Sequence, residues 1–312
     1  MQDTPNAMET PMLGLAKDDW LLRLDEIVDE DGYLLSLGDR HWAAFIEDKP
    51  TLLVTFESLQ AIQDRGDTGQ PLGFELVREL GWSQLAFLSD GDTWFRDPAV
   101  FAFVDRLADD GFFDEFDRVL FYGAGPGGYA AAAFSVAAPG ATVVAVEPQA
   151  TLDPQLVPWE DRFPQMRRVS FTSRYGYAPR MVEAAERAFV LYDPHSERDA
   201  VHAALFARDH VELLKTPLLG GDPGGGLETH LLDTQILFRL LVKAAAGKMS
   251  PTAFHQMWRA RRNYGPYLRR LLQRTEDANR PFLTALLCSN VTRRMNAPMF
   301  RRKLKRLIGK AA

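Results

Sequence analysis

The chain has one cysteine, Cys288, in 312 residues. That excludes an intrachain disulfide, and no Cys-x-x-Cys or paired Cys/His spacing marks a zinc site. An uninterrupted apolar run of about 18 residues is also missing, so no membrane span is expected. The N-terminus, MQDTPNAMETPMLGLAKDDW, is acidic and broken by prolines where a secretion signal needs positive charge and then an apolar run. These absences predict a cytoplasmic protein. There are no repeats and no low-complexity blocks. The hydrophobic fraction of 46% and charged fraction of 25% are those of an ordinary globular chain, long enough for one large α/β domain and an appendage.

Acidic residues almost vanish after Ser250. From Pro251 onward 15 Lys and Arg stand against Glu276 and Asp277, a balance of +13; the first 250 residues hold the remaining 21 basic and 40 acidic residues, or −19. Phe254, Trp258, Tyr267, Leu271 and Leu272, then Phe282, Leu283, Leu286 and Leu287, then Phe300, Leu304 and Leu307 recur at helical spacing. Residues 251–312 are therefore expected to form a basic helical segment whose apolar stripes dock on the body. Its charge predicts pairing with the acidic body, within one chain or by self-association, ahead of an anionic surface such as a membrane. Sequence-specific nucleic-acid binding is not expected, because no recognition motif accompanies the charge.

The rest of the chain is organised around residues 118–148, RVLFYGAGPGGYAAAAFSVAAPGATVVAVEP. An apolar run ends at Gly123, an alanine-rich helix follows until Pro139 and Gly140, and a second apolar, β-branched run follows that. This is one βαβ unit of near-minimum length. Gly123-Ala124-Gly125-Pro126-Gly127 fits the strand-to-helix frame Gly-x-Ser-x-Gly, in which a serine is presented at the top of a sheet. Here the serine is missing: Gly125 has no side chain to attack with. Pro126 has no N–H, so half of the usual oxyanion hole is missing as well. The same turn also satisfies Gly-x-Gly-x-x-Gly through Gly123, Gly125 and Gly128. Glu147 ends the next strand where an acid meets a ribose hydroxyl, which predicts S-adenosylmethionine or an adenine nucleotide.

Two βα units precede this turn, whereas dinucleotide loops normally open the sheet. Residues 20–48 predict antiparallel strands around Asp31-Gly32 and Gly38-Asp39. TLLVTF (51–56) and WSQLAFL (82–88) predict strands, with a polar loop and a short helix near 74–80 between them. Asp97, Pro98 and Gly111 suit the cap, first position and stop of the next helix. Trp94 and Arg96 precede that helix as cleft candidates; packing explains the first, and an ion pair with Asp92 or Asp97 the second. Residues 151–180, with four prolines, predict an irregular insertion or cap. Strands 188–192 and 210–215 follow, then a long helix over 227–246.

In this order residues 40–246 resemble the α/β-hydrolase fold, which implies a mostly parallel sheet with helices on both faces and a body over residues 1–250. The resemblance puts Asp193 at the position of the triad acid, after the penultimate strand. It would put the histidine in the turn after the last strand, but residues 216–229 contain none, and His230, the weak candidate, lies on the following helix. YDPHSERDAVHAALF (192–206) and the arginine-rich tail resemble an alphaproteobacterial group often labelled phosphoadenosine phosphosulfate reductase. Neither a pyrophosphate loop of the SGGxDS type nor a C-terminal catalytic cysteine motif accompanies that likeness. His195 and His202, seven apart on one predicted helix, lack a third metal ligand, so no metal is expected. The leading expectation is a pseudoenzyme without cofactor that binds a small molecule or partner. The alternatives are a nucleotide- or S-adenosylmethionine-dependent transferase or reductase, and a hydrolase with a displaced triad of Ser135 or Ser170 with His230.

Overall fold

The structure is a computed structural model that describes residues 11–48, 50–65, 68–220 and 226–309. The chain divides into two compact units, Met1–Pro251 and Thr252–Ala312.

The larger unit is built on one eight-stranded sheet: β1 (Gly32–Ser36), β2 (His41–Ile46), β3 (Thr51–Ser58), β4 (Ser83–Ser89), β5 (Arg118–Ala124), β6 (Thr142–Val146), β7 (Arg187–Tyr192) and β8 (Val211–Lys215). The order across the sheet is β1-β2-β4-β3-β5-β6-β7-β8. Only β2 runs against the others, so the sheet is parallel apart from this strand near one edge. This is the mostly parallel α/β sheet, with an antiparallel strand near one edge, that the resemblance implies. Strands β3 and β4 read as continuous apolar runs because helices cover both of their faces.

Helices α1 (Lys17–Val28), α2 (Leu59–Arg65), α3 (Gly73–Leu80), α4 (Pro98–Asp109), α5 (Pro126–Phe134), α6 (Ala178–Met181), α7 (Glu197–Leu205), α8 (Gly226–Asp233) and α9 (Ile236–Ala245) surround the sheet. Helix α1 lies where strand pairing is expected, because Trp20, Leu24, Ile27 and Val28 follow a helical period and bury together with Ile46, Phe74 and Leu88. Helix α2 takes the place of the first part of the predicted polar loop, burying Leu59 and Ile62. The long helix expected over 227–246 is two, broken at Gln235, whose backbone is left-handed at φ 53°. The other face of the sheet carries α4 and α5 on a core of Phe56, Phe87, Phe121, Phe134 and their neighbours. Residues 151–177 are irregular apart from one short helical turn, as expected of an insertion.

The smaller unit holds α10 (Pro251–Met257, whose first residue closes the larger unit), α11 (Gly265–Asp277), α12 (Pro281–Arg294) and α13 (Pro298–Gly309). Among the described residues no helix is long and apolar enough to cross a membrane.

Candidate functional site

The carboxyl ends of the parallel strands gather most of the strained backbone. Seven described non-glycine residues have positive φ, and four of them stand on this edge: Trp94 and Phe95 after β4, Glu147 after β6 and Leu218 after β8. Strain of this kind concentrates at binding and catalytic sites. At its centre lies the turn between β5 and α5, where Gly125 adopts φ 53° and ψ −119°. A Cβ on Gly125 would meet nothing within 4 Å, so the backbone presents the position toward open space. The flanking glycines serve packing: a Cβ on Gly123 would lie 2.1 Å from the Gly127 carbonyl oxygen, and one on Gly127 would lie 2.1 Å from that of Phe56.

One of the donors that would stabilise an oxyanion is absent. Pro126 opens α5 without an N–H. The second donor of a hydrolase comes from the connection between the third strand and its helix. Here β3 ends at Ser58 and α2 begins at Leu59, with no residue between. Ser58 Oγ accepts the Ala61 N–H at 3.1 Å, and the Gln60 side chain binds Asp90 and Gly91, which ties this helix start to the chain after β4.

Asp193 follows β7 and is buried. Its Oδ1 accepts the His195 N–H at 2.9 Å and its Oδ2 the Gly220 N–H at 3.1 Å, so the carboxylate clamps the chain after β8. Gly220 is wedged there: a Cβ would lie 2.1 Å from Glu147 Oε1 and 2.6 Å from Asp193 Cβ. The Glu147 carboxylate therefore turns toward the β7–β8 side of the edge. Gly125 N donates to the Val146 carbonyl at 2.8 Å, and with Pro126 this removes two amides from any phosphate cradle at the turn. His230 is buried on α8. Ser135 Oγ is buried and donates to the Ala132 carbonyl at 2.9 Å, whereas Ser170 is bonded to Thr172 on a separate loop.

Trp94 is fully buried; its Nε1 donates to Gln149 Oε1 at 3.0 Å and its ring meets Phe163 edge-on at 4.7 Å. It is a packing anchor. Arg96 does not pair with Asp92 or Asp97 as the sequence suggests. Its guanidinium donates to the carbonyls of Ser170 and Arg174 and to Ser173 Oγ, at 2.8 to 3.1 Å, because the insertion folds back to within its reach. The two residues thus pin the insertion to the β4–α4 loop.

Two polar networks went unseen in the sequence, since each joins residues far apart in the chain. On β2, His41 Nε2 shares a 2.8 Å hydrogen bond with Thr93 Oγ1, and its Nδ1 lies 3.7 Å from Asp97 Oδ2. The order hydroxyl, imidazole, carboxylate is that of a triad, but Thr93 Oγ1 already accepts the Phe95 N–H at 3.1 Å and Asp97 Oδ1 caps α4 through Ala99 N at 2.8 Å. This network holds the left-handed Trp94-Phe95 loop. Burial also pushes the His41 imidazole down, against the pull of Asp97. On the other face Glu57 pairs with Arg65, whose guanidinium is 3.6 Å from Glu228, and Tyr122 Oη donates to Glu228 Oε1 at 2.7 Å. The Tyr122 hydroxyl is pushed well up by burial and then by Glu228, so it donates and does not ionise.

His195 precedes α7, while His202 lies within it. His202 Nδ1 accepts the Ala150 N–H at 3.1 Å, so its Nε2 donates to Glu160 at 3.0 Å. It is a structural link between insertion and helix. No group of three or more His, Cys, Asp or Glu positioned for a metal occurs among the described residues.

No protein-family model matches the sequence, and no curated protein sequence matches it. Solved structures with a similar fold include Est1E from Butyrivibrio proteoclasticus, at 11% identity over 68% of this chain and 98% of that one, with a TM-score of 0.42. The Pyrobaculum calidifontis esterase aligns at 13% identity over 75% of this chain and 91% of its own, with a TM-score of 0.42. The capsule O-acetyltransferase of Neisseria meningitidis serogroup A aligns at 11% identity over 66% and 93%, with a TM-score of 0.39.

Proposed function

We propose that this chain is a non-catalytic protein of α/β-hydrolase type that binds a small molecule above Gly125. The observation that carries the reading is the turn itself: it keeps a strained backbone aimed at open space at a position with no side chain, followed by a residue with no N–H. Without a nucleophile at 125 or an N–H at 126, the strained edge serves binding. An adenine nucleotide or S-adenosylmethionine is disfavoured by the orientation of Glu147 and the occupied amide of Gly125.

The test is a thermal-shift screen of acyl compounds, nucleotides and S-adenosylmethionine, since a ligand that binds only the folded chain raises its melting temperature. A hit should be lost in Gly125→Leu, which fills the space above the turn, and retained in Gly140→Ala, which does not touch the edge. The native protein should also resist labelling by a fluorophosphonate. Labelling of a serine in the folded protein that disappears on unfolding would overturn the reading.

A further inference from the structure

Helices α12 and α13 are joined by three residues and pack on each other, which makes them an antiparallel hairpin. The side of α12 that is buried is formed by Thr284, Cys288 and Val291, and α13 buries Phe300. The apolar stripe expected to face inward does the opposite: Phe282 is 77% exposed, Leu286 57% and Leu283 40%. Phe282 and Leu286 are four residues apart and share one side of α12. At about 1.5 Å per residue, Phe282 lies about 18 Å from the connection and Ile308 about 15 Å from it along the returning helix. Ile308, 60% exposed, therefore joins Phe282 and Leu286 at the open end of the hairpin.

The collar of this apolar tip is cationic. Arg301 and Lys305, seven and three residues before Ile308, lie on its side of α13 and are exposed, while Arg302 and Arg306 face the groove toward α11. Neither helix carries an acid. The two acids after Ser250 are on α11, where Glu276 pairs with Lys303 and Asp277 accepts from Gln273. A nucleic acid would use the cations and leave Phe282, Leu286 and Ile308 in water. A bilayer of anionic lipid uses both, taking apolar side chains below the headgroups and Lys and Arg at the phosphates.

We infer that the open end of the α12–α13 hairpin docks on an anionic phospholipid membrane, with Phe282, Leu286 and Ile308 inserted and Arg301 and Lys305 at the headgroups. The surface is independent of the turn at Gly125. The test is co-sedimentation of the full chain with phosphatidylcholine vesicles made with and without phosphatidylserine, across salt. Binding should require phosphatidylserine and weaken as salt rises. The double variant Phe282→Ser, Leu286→Ser should lose about tenfold to a hundredfold in affinity through its lost apolar burial, with its melting temperature unchanged because both side chains are exposed. Arg301→Glu with Lys305→Glu should abolish binding. Vesicle binding that ignores the Ser variant overturns the inference. So does an absence of vesicle binding at low salt, whether the chain then binds random DNA or pairs with a second copy.

Discussion

Gly125 stands at φ 53° and ψ −119° with room around the position of a Cβ. A serine there meets no clash, only the backbone strain of a side chain in a sparsely populated region, about 1–3 kcal/mol. Gly125→Ser should therefore fold, melt at a lower temperature than the parent, and hydrolyse p-nitrophenyl acetate no faster than the parent does. Fluorophosphonate labelling of that serine would contradict the account. This much of the site was legible, because a turn motif is local and a missing side chain is visible in one letter. Glu160 was not, since its partner His202 lies 42 residues further on, on α7. Burial alone would push its carboxyl up, yet hydrogen bonds from His202 and Arg162 prevail and hold it down at about 2. A lowered carboxyl stabilises the fold above its unfolded value, and that contribution fades as pH falls from about 4.5 toward about 2. The parent should thus exceed Glu160→Gln in stability by on the order of 2 kcal/mol at pH 7, a gap that closes by about pH 2 in denaturant titrations.

At the scale of elements, the β5–α5–β6 unit is held by contact between backbones. Gly127 lets α5 approach β3 at Phe56, and Gly123 lets the turn close on Gly127. Gly127→Ala should cost about 1–3 kcal/mol or more by overpacking, read as a lower denaturation midpoint, while Gly140→Ala, with nothing within 4 Å, pays only for its left-handed backbone. A larger loss at Gly140 than at Gly127 would show that packing does not decide. The strands were legible because buried parallel strands read as apolar runs. Helix α1 replaces the expected strand pairing because the helical period of Trp20, Leu24 and Ile27 outweighs the turn residues at 31–32 and 38–39. The break at Gln235 carries no proline or glycine, so nothing in the sequence announced it.

For the molecule as a whole, charge and period separated a basic helical segment from the body before any coordinates, but they could not say which way its stripes face. That choice was made by Thr284, Cys288 and Val291, a less apolar set that nonetheless forms the buried side of α12. Strand β3 passes into α2 without a loop residue, residue 125 has no side chain and residue 126 no N–H, and the sequence has no histidine over 216–229. On the reading proposed above, ester hydrolysis would thus ask for substitutions and an insertion at several separate places. None of these confers activity alone, so selection has no graded path to follow. On that reading the chain is free to change what it binds, while mutational distance bars it from cutting it.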